Sequence, residues 1–237
     1  MKTVLHKSET RGHANHGWLD TYHTFSFAGY YDAERIHFGA LRVLNDDSVA
    51  GGRGFGTHPH DNMEIVSIPL SGALRHNDSM GNEAVIRSGE VQVMSAGTGV
   101  YHSEYNHEKE EPAKFLQIWI FPKLKNVTPR YDQITISDIA TRNSFYQIVS
   151  PNAGEQGVWI HQDAWFHLGS FDQATETTYT YKKPGNGLYV FVLEGEAEVA
   201  GHVLQRRDGL GITDTNQVRF KTGSDAYLLL MEVPLQW

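Results

Sequence analysis

Two short stretches carry the side chains best suited to chemistry. Gly56-Thr-His-Pro-His-Asp-Asn-Met-Glu-Ile-Val66 sets His58 and His60 one residue apart across Pro59, and Val100-Tyr-His-Ser-Glu-Tyr-Asn106 sets His102 two residues before Glu104. In a strand, alternate side chains point to the same face, so each pair shares a face. Pro59 cannot donate a ladder hydrogen bond, which puts its segment at a sheet edge or a strand start. If the two strands are neighbours with these faces turned inward, three imidazoles and one carboxylate converge. Such a set suits a divalent first-row metal held without sulfur. Four protein ligands on an octahedral ion leave two positions for substrate or dioxygen, which makes the site chemical rather than structural. Glu64 has the same parity as His58 and His60 and faces inward too on an unbroken strand, so spacing alone does not choose between Glu64 and Glu104. The one left out is expected either to fix a ligand histidine's tautomer or to lie on the surface just beyond a turn. A lone His-x-His is commonplace, and it is the second i, i+2 pair about 40 residues on that gives the pattern weight.

Composition narrows the setting of this site. The 237 residues are ample for two small domains, 40% are hydrophobic and 20% charged, and no run of about 18 apolar residues suggests a membrane span. The stretch Met1-Lys-Thr-Val-Leu-His-Lys-Ser-Glu-Thr-Arg-Gly-His13 has no apolar core of a secretory signal, so a cytoplasmic address is expected. Without cysteine there is neither a disulfide, nor a thiolate nucleophile, nor a Cys-based zinc site. The net charge of −8 comes without a basic cluster, which argues against direct nucleic-acid binding. Of the 13 histidines, ten fall within residues 1–107. Metal chemistry therefore belongs to the first half.

The elements that must position these residues read as strands. Segments such as Glu90–Met94, Phe115–Phe121, Leu188–Leu193 and Tyr227–Val233 are short, β-rich and broken by Gly, Asp and Asn, with little helical periodicity anywhere. The fold class is all-β, with barrels or sandwiches favoured over alternating βαβ units. The halves also echo each other. Ile65–Gly72, then Arg87-Ser-Gly89, then Phe115–Pro122 parallels Tyr189–Gly195, then Arg207-Asp-Gly209, then Tyr227–Pro234. A linker is expected near Asp132–Asn143, with Ser137-Asp-Ile-Ala starting a short helix.

The motifs resemble those of a known family. Gly52, His58-Pro-His60, Glu64 and Gly72 resemble the first cupin motif, and Gly89 through Gly97 to His102 and Asn106 the second, with Ser95 in place of a common Pro. Together with Gly12-His-Ala-Asn-His-Gly-Trp18, His23-Thr-Phe-Ser-Phe27, Tyr30-Tyr-Asp32, Leu41-Arg-Val-Leu-Asn-Asp46 and Ser95-Ala-Gly-Thr-Gly-Val-Tyr-His-Ser-Glu104, they resemble the pirin family. The match is dense over residues 10–122 and thin beyond. It implies a bicupin, two face-to-face cupin barrels with few short helices: residues 1–132 with the metal, residues 133–237 without one. In pirins the carboxylate ligand follows the third histidine by two residues, which maps onto Glu104 and demotes Glu64. The implied ligand set is His58, His60, His102 and Glu104. His161, His167 and His202 are expected to be structural or exposed.

The resemblance extends to bacterial pirin-like quercetin 2,3-dioxygenases, which open the central ring of a flavonol with O2 and release carbon monoxide. The implied cofactor is one divalent transition metal per chain, Fe(II) first, with Mn, Ni, Cu, Co or Zn as alternatives. The implied small molecules are a phenolic or flavonol substrate and O2, and Glu104 is the candidate general base. The second reading is a metal-loaded regulatory or interaction protein of the pirin type, with a protein partner the sequence does not name. Ser103–Lys114 is expected to be either a mobile loop or lid beside the metal or a plain solvated turn, His107 to face solvent, and Phe25, Phe27, Tyr30 and Tyr31 to line the pocket or the core.

Overall fold

The structure, a computed structural model, describes residues 1–236. The all-β expectation is met: beyond the strands the described residues hold only two single 3-10 turns, Ser8–Thr10 and Ile136–Asp138, the second within the expected linker. No described helix is long and apolar enough to cross a membrane.

In chain order the first part holds β1 (Lys2–His6), β2 (Gly12–Asn15), β3 (Leu19–His23), β4 (Leu41–Val49), β5 (Gly54–His60), β6 (Glu64–Ser71), β7 (Ala73–Asp78), β8 (Glu83–Arg87), β9 (Glu90–Ser95), β10 (Val100–Asn106), β11 (Ala113–Ile120) and β12 (Arg130–Thr135). The second holds β13 (Ser144–Ser150), β14 (Val158–Trp159), β15 (Trp165–Phe171), β16 (Thr175–Thr180), β17 (Asn186–Glu194), β18 (Glu196–Val199), β19 (His202–Gln205), β20 (Gly209–Thr213), β21 (Gln217–Thr222) and β22 (Ala226–Pro234). Each half forms a seven-stranded and a four-stranded sheet. The orders are β12-β9-β6-β11-β4-β3-β2 with β5-β10-β7-β8, and β1-β20-β17-β22-β15-β13-β14 with β16-β21-β18-β19. The sequence repeat thus reappears as one topology used twice. Gly72 and Gly195, paired by that repeat, have φ of 72° and 70°, a region that favours glycine.

One strand crosses between the halves. β1 leaves the first half and pairs with β20 of the second, while β12 remains paired with β9 as far as Thr135, so a division at 132/133 falls within a strand.

The two large sheets pack against each other through one apolar cluster that includes Val66, Leu116 and Ile118 from the first and Phe166, Phe191 and Leu229 from the second. Their opposite faces line the barrel interiors. This double coverage explains why the central strands read as nearly continuous apolar runs. The second interior is filled by Leu188, Val190, Leu210, Phe220 and Leu230. The first has separate apolar clusters, one around Phe115 and Leu74, the other around Ile65 and Met94. The candidate site occupies the first barrel.

Candidate metal centre

The first barrel's four-stranded sheet brings the two histidine motifs together. β5 and β10 are antiparallel neighbours with His58 opposite His102 and His60 opposite Val100, and a register shift follows between His102 and Glu104. The ring centroids of His58, His60 and His102 lie 4.5–4.9 Å apart. Their donor atoms all fall within 4.8 Å of one another.

The tautomers suit a cation. His58 Nδ1 lies 2.7 Å from the Gly56 carbonyl, so Nδ1–H donates there and the Nε2 lone pair turns inward. That Nε2 is 3.0 Å from His102 Nε2, about the separation of two nitrogens at right angles and roughly 2.1 Å from one ion. Burial, with smaller contributions from neighbouring histidines, lowers the pKa of His60 to about 4 and of His102 to about 2. Both are neutral imidazoles at physiological pH, the state that binds metal. The donor set therefore fits a transition-metal ion.

Glu104 is buried on the same strand as His102 and groups with His102 and His76, again within 4.8 Å. The structure thus divides the expected four-ligand set into two groups that share His102. Ser67 Oγ donates to Glu104 Oε1 at 3.2 Å and Gln117 Nε2 to Oε2 at 2.8 Å. Burial pushes this carboxyl up to about 7, against the pull of those two donors.

His76 escapes the sequence reading although Asp78 follows it by two residues, the same His-x-carboxylate spacing as His102 and Glu104. It lies opposite Glu104 on β7 and is fully buried. Its Nε2 is 2.9 Å from Asp78 Oδ2, Tyr131 packs over its ring, and no described residue partners Nδ1. Ser67 and Gln117 were missed too, although a polar residue amid Ile65-Val-Ser-Ile68 and Phe115-Leu-Gln-Ile118 is a readable signal. In register they belong to a row, His23–Asn45–Gln117–Ser67–Gln92–Gln133, that crosses β3, β4, β11, β6, β9 and β12.

Glu64 does not approach the histidines. A turn at Asp61–Met63, with Asn62 at φ 45°, separates His60 from β6, which belongs to the other sheet. The parity argument therefore does not carry across. Glu64 is 1% exposed, accepts from Ser95 Oγ at 2.6 Å and from the His161 backbone, and burial pushes its carboxyl to about 7. It is neither a surface carboxylate nor a partner of a ligand histidine.

The site opens into a cavity of about 250 Å³ lined by His58, His60, Glu104, Gln117, Phe27 and Trp119, among others. Trp119 packs edge-on against His60 at 4.9 Å and Phe27 against Trp119 at 5.4 Å. A second cavity of about 560 Å³, with His13, His16, His23 and Tyr30 in its wall, shares Phe27, Phe55, Asn45 and Asp47 with the first. Of the four aromatics considered from sequence, Phe27 and Tyr30 line cavities, Phe25 is core, and Tyr31 is 76% exposed. Residues 103–106 belong to β10, and residues 107–112 line neither cavity; Asn106 Nδ2 pins this loop through the carbonyls of Val49 and Glu111. The loop is therefore no lid over these cavities. His107 is exposed, as expected. His161, His167 and His202 belong to neither donor group.

Comparison with known proteins agrees with this architecture. The Pirin family model matches residues 4–120 and the quercetinase C-terminal cupin domain matches 147–233. The chain is 40% identical over 230 residues to a quercetin 2,3-dioxygenase of Escherichia coli K12, covering 97% of this chain and 98% of that protein. It is 38% identical to a pirin-like protein of Caulobacter vibrioides, covering 93% and 95%. The crystal structure of the bacterial pirin YhhW from Escherichia coli, in complex with nickel(II), superposes with a TM-score of 0.93 at 39% identity, covering 98% of this chain and 99% of that one. With two cupin barrels and nearly full-length similarity to these relatives, the chain is a bicupin that belongs to the pirin family.

Proposed function

We propose that this protein is a metal-dependent dioxygenase that opens the central ring of a flavonol with O2 and releases carbon monoxide. His58, His60, His102 and Glu104 would hold one divalent transition metal per chain, Fe(II) first. The observation that carries the reading is the inner cavity, where histidine donors and a buried carboxyl meet the flat faces of Phe27, Phe55 and Trp119. A flat, mostly aromatic ligand with a few polar groups matches that wall. The bound metal would supply the redox partner that lets triplet dioxygen react with a closed-shell molecule.

The chain's own residues do the rest. Glu104, with a carboxyl near 7, is poised to take the proton of the flavonol 3-hydroxyl, which makes the ring electron-rich. Gln117 and Ser67 fix the direction of that carboxyl by one hydrogen bond to each oxygen. The aromatic walls exclude water from the electron-rich ring. The 40% identity to the Escherichia coli quercetin 2,3-dioxygenase supports the reading.

The test is to strip the protein, reload it anaerobically with Fe, Mn, Ni, Cu, Co or Zn separately, and follow quercetin loss with CO release. One CO per quercetin from the Fe(II) protein, and none from the metal-free protein, is expected. Metal binding without CO release under every metal overturns the enzyme reading in favour of a metal-loaded regulatory protein.

A further inference from the structure

Adjacent residues Asp46 and Asp47 on β4 have opposite fates. Asp46 Oδ2 accepts from Arg207 Nε at 2.8 Å and from Arg11 Nη1 at 3.3 Å, a carboxylate neutralised by one cation from each half. Asp47, one residue on, turns to the other face and is 5% exposed. Its one hydrogen bond among the described residues comes from Thr21 Oγ1 to Oδ1, and it forms no ion pair there. A buried carboxyl without a cation is costly unless something else satisfies it. Burial, opposed by the Thr21 bond, pushes it up to about 7, with the nearby charges of Asp46 and Glu104 adding to the rise. It can therefore donate or accept at neutral pH.

Its location says what would satisfy it. Asp47 is one of the four residues common to both cavities, with Phe27, Phe55 and Asn45, which shares its face of β4. The Oδ1 of Asn45 is taken by His23 Nδ1 at 2.9 Å, which leaves its amide N–H groups to point elsewhere. The inner cavity, about 250 Å³, is below the roughly 300–1,000 Å³ usual for a small-molecule site. A ligand anchored at the histidines must therefore extend through this neck into the outer cavity. Asp47 belongs to neither donor group.

We propose that Asp47 is the substrate-recognition residue of this neck, its carboxyl holding a phenolic hydroxyl on the part of the ligand that lies outward from the metal. The ligand class is then the polyhydroxylated flavonols, in preference to a flavonol hydroxylated at the 3-position alone. This inference rests on the flavonol reading above.

The experiment is anaerobic calorimetric titration of the Fe(II)-loaded protein, where turnover cannot occur, with quercetin and with 3-hydroxyflavone. Wild type should bind quercetin about 10- to 100-fold more tightly, the worth of hydrogen bonds to an ionisable group. In Asp47→Leu the preference should fall to within about twofold, and in the isosteric Asp47→Asn, which covers the case that the leucine variant does not fold, to an intermediate value. Metal per chain should not change in either. An unchanged preference in the variants, no preference in wild type, or loss of metal from a folded variant overturns the assignment while leaving flavonol binding intact. If wild type binds neither flavonol, the flavonol reading fails and this inference with it.

Discussion

The two barrels share a strand order but not an interior. Across β9, β6 and β11 of the first, the in-register row facing the interior is Gln92, Ser67 and Gln117. Across β20, β17 and β22, which hold the same places in the second, it is Leu210, Val190 and Leu230. Apolar side chains fill the second barrel and leave its role to packing, while the first keeps a polar row that costs stability and positions Glu104. Both groups of metal-capable donors lie in the first barrel. Fold and site are separable here: one topology encloses an apolar core in one half and the metal-capable donors in the other.

The comparison breaks most visibly on metal content. His58→Ala, His60→Ala or His102→Ala should each lower tightly bound metal by orders of magnitude, while His167→Gln in the second barrel should leave about one ion per chain. Elemental analysis after loading and desalting decides this, and a second tight ion, or a depleted His167 variant, would contradict the division.

Next in size is the loss of chemistry at Glu104. On metal-reloaded protein, Glu104→Gln should lower turnover by roughly 10²-fold or more, the scale for losing a positioned base. Gln117→Leu, which frees one carboxylate oxygen from its donor, should cost about 10-fold. Equal effects from the two substitutions would argue that orientation, and not the proton, is what Glu104 contributes.

The polar row can also be converted to the second barrel's type. Ser67→Val with Gln117→Leu strands a buried carboxyl and should destabilise the metal-free protein by about 2–5 kcal/mol. Adding Glu104→Leu should recover most of that loss in urea denaturation. If the triple variant stays as unstable as the double, the row is a structural necessity and not a functional one.

The smallest effect expected is at Glu64. Its folded pKa, about 7, is above the ordinary 4.5, so the protonated form is the one the fold favours. Its contribution is complete below about 4.5 and is lost as pH rises through about 7. The stability difference between Glu64→Gln and wild type should therefore move in the variant's favour over that window, with metal content unchanged. His167 has the opposite sign: burial lowers it to about 3, so its burden on the fold grows as pH falls below 6.5, and His167→Gln should relieve it there.

What the sequence made legible was the part governed by local periodicity. His58, His60 and His102 followed from period-two parity within single strands, and the apolar runs marked the central strands of both large sheets. Parity kept Glu64 open as a rival to Glu104 because it was carried across a turn that moves the chain into another sheet, and the family resemblance, not periodicity, demoted it. His76, Asn45 and Asp47 stayed hidden for a different reason. Each becomes meaningful only when strands far apart in sequence are set in register, as Asp47 with Thr21 and Asn45 with Gln117. Asn45-Asp-Asp47 by itself reads as turn chemistry.

The pairing of β1 with β20 constrains how the molecule comes into being. During synthesis residues 2–6 emerge about 200 residues ahead of their partner, roughly 10–40 s at ordinary elongation rates. Through that interval β1 has no ladder to join. Once β20 has formed, its edge opposite β17 stays bare until β1 arrives, an opening for another chain's strand. Clipping the first six residues should thus leave a first barrel able to load metal and a second barrel prone to aggregate, a defect of assembly far from the chemistry.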